Sequence, residues 1–278
     1  MSIARATGHF GEFLQGRLGP DGPVVLVTLP CPAASVEARV SPATGLAIHG
    51  GGQRMLTPDH ARRFLTHLGL PARGRVTLRA TMPVGGGAGA STAALVALAR
   101  AMGHHGSAAS LATAAIATEG ASDPLMFAAP ERLLWASREG RAVMALPPLP
   151  AFDVLGGFAG PPERTRAADS RFPDISDLIA PWQTAASAGD RATLALLAAT
   201  SADRTLALRG GMILPLAELA AATGALGHAI AHTGSARALL FAPGTVPRHA
   251  AALMREAGCR RVIEFRTGGR PWPALRSC

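Results

Sequence analysis

The sequence predicts an α+β protein of two lobes. Three observations carry that expectation. The first eighty residues are β-rich text broken by Gly and Pro, and alanine-rich helical text takes over at Ala88. A polar, Pro/Gly-rich stretch from Gly156 to Pro173 then precedes a second set of helices and strands. The expected division is therefore 1–155 and 156–278, with a ligand cleft between the two parts.

Taken in order, Pro23 to Leu29, Ala34 to Val40 and Arg75 to Ala80 read as strands, with a short helix over Asp59 to Leu68. Ser91 to Met102 is apolar on every face and predicts a buried helix, followed by a similar one over Ser110 to Thr118. Arg141 to Ala145 and Phe152 to Leu155 return to strand text. Helices are expected near 175–187, 190–206 and 213–223, and strands over Ala225 to His232 and Ala236 to Phe241. A helix near 247–257 and a strand from Arg261 to Arg266 give the second lobe a β-α-β ending.

Composition excludes several classes. The 278 residues are 48% hydrophobic, too apolar for a disordered chain, yet no apolar run reaches the roughly 18–20 residues that span a bilayer. The opening lacks the apolar stretch of a secretory signal, so a cytoplasmic location is expected. Cys31, Cys259 and Cys278 are far apart and form neither a disulfide framework nor a zinc site. There is no lysine, so all 27 basic residues are arginine, and a catalytic lysine or a phosphate loop ending in Gly-Lys-Ser/Thr is impossible. The net charge of +9 is spread along the chain and aromatics make up 4%, so a solvated basic surface is expected ahead of a nucleic-acid site, and a bias toward anionic small molecules fits equally well. Neither a nucleic-acid nor a membrane partner is expected.

The strongest chemical signal is Pro83-Val84-Gly85-Gly86-Gly87-Ala88-Gly89-Ala90-Ser91-Thr92. Glycines let backbone N–H groups approach a ligand, and the buried helix that follows offers unpaired N–H groups and positive dipole potential at its start. Such a loop suits a polyphosphate, and the Ser91 hydroxyl can ligate Mg²⁺; a plain strand-to-helix turn is the simpler alternative. The segment resembles the phosphate loop of the GHMP kinases, Pro-x-Gly-x-Gly-Leu-Gly-Ser-Ser-Ala, with Pro83, Gly85, Gly87, Gly89 and Ser91 on the pattern. Ala88 stands for leucine and Ala90 for the first serine. The resemblance implies the two-lobed GHMP fold, residues 83–92 on ATP, and Ser91 on Mg²⁺.

Three further segments follow in the family's order. Thr7-Gly8-His9-Phe10-Gly11-Glu12-Phe13-Leu14-Gln15-Gly16 resembles the opening of bacterial L-threonine kinases of this superfamily, in which a cysteine stands where this chain has His9-Phe10. Val27 to Pro32 resembles the same subfamily. Those enzymes make O-phospho-L-threonine for the aminopropanol arm of cobalamin. By residue type, Glu12 and Gln15 on a glycine-flanked turn can hold an amino group and a hydroxyl. Glu119-Gly120-Ala121-Ser122-Asp123-Pro124 places Asp123 where the family carries its base, with Glu119 as a candidate second magnesium ligand. Asp before Pro is equally the start of a helix, with Asp123 as its N-cap. Ala231-His232-Thr233-Gly234-Ser235 resembles the family's third motif, which puts His232, Thr233 and Gly234 near the substrate; a hairpin turn explains the same residues.

The expected function is ATP- and Mg²⁺-dependent phosphorylation of L-threonine. A GHMP kinase for another alcohol, homoserine- or mevalonate-like, and a non-catalytic ligand-binding protein of the same fold stand as alternatives. With neither lysine nor an arginine between Pro83 and Ala99, phosphate charge is expected to fall on Mg²⁺, backbone N–H groups and the helix dipole.

Overall fold

The computed structural model describes residues 1–163, 168–210 and 214–269. Its first half comprises β1 (Ser2–Arg17), β2 (Val24–Ser41), β3 (Leu46–His49), α1 (Pro58–His67), β4 (Gly74–Ala80), α2 (Ala90–Ala101), α3 (Ala108–Glu119), β5 (Leu133–Ala136) and β6 (Arg141–Ala145). The second comprises β7 (Phe152–Phe158), α4 (Ser176–Ala188), α5 (Arg191–Arg209), α6 (Leu216–Thr223), β8 (Gly227–Ile230), β9 (Ala236–Phe241), α7 (Ala250–Glu256) and β10 (Arg260–Thr267). Cys278 and the start of the helix expected near 213–223 lie outside the described residues.

The strands form one sheet in the order β10-β7-β9-β8-β1-β2-β4-β3, with the β5–β6 hairpin set against β2. All named pairings are antiparallel except β3 with β4. The first- and second-half strands meet at β1 and β8, where Glu12 pairs with Ile230. A boundary at residue 155 falls within β7, which pairs with β9 and β10.

Two sequence expectations change here. Residues 7–16 are not a turn but part of β1, which runs unbroken through three irregularities of register between Thr7 and Leu14. Gly11 makes this possible: its φ is +78°, and a Cβ there would lie 2.6 Å from the Ile230 carbonyl carbon. The strands expected at 23–29 and 34–40 are one strand, β2. Thr7 pairs with Ser35 and Gly8 with Cys31, so residues 32–34 bulge out and the proline pair does not end the strand.

Packing fixes the bulge. Phe10 is fully buried against Phe158 and Phe265, at ring-centroid distances of 4.8 and 5.6 Å. Phe13 packs against Phe152 and Trp182. Each such side chain contributes about 1.5–3 kcal/mol by leaving water, enough to hold the intervening irregular backbone in one register. Behind β1 and β2 lies α2, buried at every position but Ser91 and Arg100, as its all-round apolar text predicts. Among the described residues no helix is long and apolar enough to cross a membrane.

Candidate active site

A cavity of about 370 Å³ opens where β1, the glycine loop, the end of α3 and the β8–β9 connection converge. The glycine loop is held from two sides. Gly11 N–H donates to the Gly87 carbonyl and His9 N–H to that of Ala88, both at 3.2 Å. From the other side, Ser235 and Ala236 donate to the Gly86 carbonyl at 3.0 and 2.8 Å. The residues 231–235 are the hairpin turn between β8 and β9, and the turn sits on the loop. Gly87, at φ +75°, has no space for a side chain, because a Cβ would meet the Ala231 methyl and lie 2.5 Å from the Thr233 carbonyl oxygen. The two glycine-bearing segments are thus one construction, backbone against backbone.

The helix after the loop begins at Gly89 in the left-handed region, and no side chain caps it. Its first residues, Ala90, Ser91 and Thr92, line the cavity, and the first N–H groups of a helix have no partner within it. Ser91 Oγ donates a hydrogen bond to Oε1 of Glu119, the last residue of α3. A hydroxyl and a carboxylate side by side form a hard-oxygen pair that fits Mg²⁺.

Asp123 caps no helix. The residues after Pro124 form turns, and the carboxylate instead faces His9, with His9 Nε2 3.2 Å from Asp123 Oδ2. The other ring nitrogen, Nδ1, lies 3.5 Å from Glu12 Oε1 and 3.2 Å from the Gly11 carbonyl. Burial alone disfavours the His9 cation, but Glu12 and Asp123 outweigh it and raise its pKa to about 9. Burial pushes Glu12 up to about 8, against the pull of His9. Asp123 is lowered: burial works against its charge and the His9 contact prevails. Near neutral pH His9 therefore stands as an imidazolium against an ionised Asp123.

The Asp123 loop is pinned by β5, an element the sequence did not announce. Trp135 Nε1 donates to the Ser122 carbonyl at 2.7 Å, and Ser122 N–H donates to the Ser137 carbonyl at 2.9 Å. Thr92 Oγ1 meets Asp123 only at 3.3–3.4 Å, long for a hydrogen bond.

Glu12 and Gln15 are both buried in the cavity wall, yet Glu12 Oε2 and Gln15 Oε1 have no hydrogen-bond partner in the protein. Gln15 Nε2 donates to the Ile230 carbonyl, which fixes the amide with its oxygen unpaired. Buried orphan acceptors of this kind are costly unless a ligand completes them. His232 stacks on Phe172 at 3.7 Å, with Nε2 2.8 Å from Arg209. Burial and the Arg209 charge lower its pKa to about 4, so it is a neutral part of the wall.

Of the residues singled out in the sequence, Glu12, Gln15, Gly85, Gly87 to Thr92, Glu119, Asp123, His232 and Thr233 line the cavity. Pro83, Gly86 and Gly234 do not: they build the seam between loop and turn, so their direct contact is with protein. Two side chains that sequence reasoning missed also face it. His9 was visible only as a departure from a motif, and Arg138 is one arginine among 27.

No protein-family model matches the chain, and no curated protein is similar to it in sequence. Solved structures are similar in fold. A homoserine kinase from Cytophaga hutchinsonii ATCC 33406 superposes with a TM-score of 0.62 at 16% identity, over 96% of this chain and 95% of that one. The L. major mevalonate kinase in complex with R-mevalonate gives 0.65 at 14% identity, over 98% and 96%. The fold is that of the GHMP kinases. Streptococcus pneumoniae phosphomevalonate kinase in complex with phosphomevalonate and AMPPNP shares it too, with a TM-score of 0.63 at 11% identity over 97% and 100% of the two chains. In this GHMP fold the cavity lies where the glycine loop, the Asp123 loop and the β8–β9 turn meet.

Proposed function

We propose that the chain is an ATP- and Mg²⁺-dependent kinase that phosphorylates the hydroxyl of L-threonine, with residues 1–155 as the ATP-binding lobe and 156–278 as its partner. The observation that carries this reading is the convergence of Asp123, the Ser91–Glu119 pair and the uncapped start of α2 on one cavity of a GHMP fold. A retired binding site has no physical reason to keep all three. The subfamily assignment rests on the resemblance of residues 7–16 and 231–235, and the orphan acceptors of Glu12 and Gln15 suit a donor-rich acceptor such as an amino alcohol.

In this reading residues 83–92 form the phosphate loop, in which Gly85 and residues 87–92 offer backbone N–H groups to the nucleotide phosphates and Pro83 and Gly86 back them. Ser91 and Glu119 would hold Mg²⁺, which would supply positive charge for the nucleotide phosphates. Glu12 and Gln15 orient the acceptor, with His232, Thr233 and Gly234 forming or backing the opposite wall. The acceptor oxygen attacks the γ-phosphorus, the bond to the β–γ bridging oxygen breaks, and the hydroxyl proton passes to Asp123 as ADP leaves. His9 keeps Asp123 ionised to receive it.

ADP release from Mg-ATP, measured with L-threonine, L-serine, L-homoserine and mevalonate, tests the reading. Release with L-threonine at a kcat/KM at least tenfold above the others is expected. Preference for another alcohol transfers the reading to a different acceptor, and no release with any of them contradicts it.

A further inference from the structure

We propose that Arg138 is a catalytic residue of this site, contacting the γ-phosphoryl group of ATP and neutralising charge on it as it is transferred. The inference rests on the kinase reading above and adds to it the cation that the glycine loop lacks.

Arg138 follows β5 on the tight turn to β6, and it lines the cavity. Among the described residues of the wall it is the one permanently charged cation, in a wall that also carries the carboxyl groups of Glu12, Glu119, Asp123 and Glu163. Arg209 does not share this position: it lies outside the wall, 2.6 Å from Asp169. A polyanion entering so acidic a cavity needs a positive group beyond one metal ion, and the chain has no lysine to supply it.

Its position between two parts of the site decides what Arg138 faces. On one side the neighbouring Ser137 carbonyl accepts from Ser122 N–H, so Arg138 is fastened to the loop that carries Asp123. On the other, its guanidinium stands 5.8 Å from the Phe172 ring centroid, Phe172 stacks on His232, and the adjoining Thr233 packs against Gly87. The guanidinium thus lies in the cavity beside the Asp123 loop and near Phe172, within the wall that the glycine loop and the β8–β9 turn also line. Burial works against its charge, while Asp169 and Asp123 favour it. The Phe172 ring is within cation–π range of it, and its planar fork suits two phosphoryl oxygens at once.

The test is calorimetric binding of Mg-ATP and Mg-ADP to wild type, Arg138→Gln and Arg138→Lys, with steady-state kinetics alongside. Arg138→Gln is expected to weaken ATP about tenfold and leave ADP within twofold, because only ATP carries the γ-phosphoryl group. Its kcat should fall by about 10³ with the acceptor KM nearly unchanged, and Arg138→Lys should recover part of both losses. Equal weakening of ATP and ADP, or a raised acceptor KM with the ATP-to-ADP affinity ratio intact, overturns the proposal. If wild type phosphorylates no acceptor, the kinase reading fails by itself while the affinity ratio still decides the role of Arg138. Should Arg138→Gln not fold, as judged by circular dichroism, the ratio in Arg138→Lys decides: a value below wild type supports the assignment, and an unchanged one refutes it.

Discussion

His9 Nε2 lies 3.2 Å from Asp123 Oδ2 inside the cavity, so the ionisation of the proposed base is governed by a histidine from the opening strand. Removing the ring while keeping a polar group, as in His9→Gln, takes away a charged hydrogen bond. kcat should drop about tenfold, the scale of one such bond, with ATP affinity little changed. Steady-state kinetics and nucleotide titration check this, and an unchanged kcat would mean Asp123 does not depend on His9.

The same cluster makes stability fall as the solution becomes basic. His9 and Glu12 both have raised pKa values when folded, about 9 and about 8, so each binds its proton more tightly in the folded chain than in the unfolded one. The His9 contribution is fully present below its ordinary value of 6.5 and is lost as the pH passes through about 9. The Glu12 contribution is lost earlier, between its ordinary 4.5 and about 8. Asp123, lowered in the folded chain, acts oppositely and only in acid. The melting temperature should therefore decline between pH 6.5 and 9, less steeply in His9→Gln. A melting temperature that rises over that range would contradict the charge assignment.

Ser91, at the start of α2, is hydrogen-bonded to Glu119. Ser91→Ala removes the hydroxyl while leaving a good helix former, so folding should persist. The magnesium concentration for half-maximal rate should rise and the maximal rate should fall together. Unchanged magnesium dependence would show that this pair does not hold the metal.

Gly87 stands where the glycine loop and the β8–β9 turn touch. Gly87→Ala adds a methyl group at positive φ against the Ala231 methyl, costing roughly 1–3 kcal/mol of stability and spreading the seam. A lower melting temperature with weakened ATP binding is expected. Normal stability and binding would show that the seam tolerates separation.

Trp135 supports the Asp123 loop through the Ser122 carbonyl. Trp135→Phe keeps most of the buried ring but leaves that carbonyl unpaired, at a cost of about 1–3 kcal/mol. Turnover should fall several-fold while ATP affinity holds. A loss of both together would place the effect on the whole fold instead.

What could be read from the sequence follows from locality. The glycine loop, the buried α2 and the residues Ser91, Glu119 and Asp123 carry their signals within a few neighbours. The loop, Asp123 segment and 231–235 segment do line one cavity. The continuity of β1 was hidden because Gly11 looks like a turn residue until Ile230 is seen beside it. His9 and Arg138 were hidden for a related reason. Their significance lies in what they face, Asp123 for one and Phe172 with the acidic wall for the other, and none of those contacts is local. Asp123 by its local residues alone read as a helix cap and only with the other motifs as a base; the turns that follow Pro124 remove the cap reading.

The most direct measurement of the central claim is phosphorus NMR of the products formed from Mg-ATP and L-threonine by wild type and by Asp123→Asn. The substitution keeps the size of the side chain and removes the proton acceptor. Wild type should yield O-phosphothreonine and ADP, and the variant should lose turnover by about 10²–10⁴ while binding Mg-ATP with affinity close to wild type. Equal product from both proteins would contradict the account.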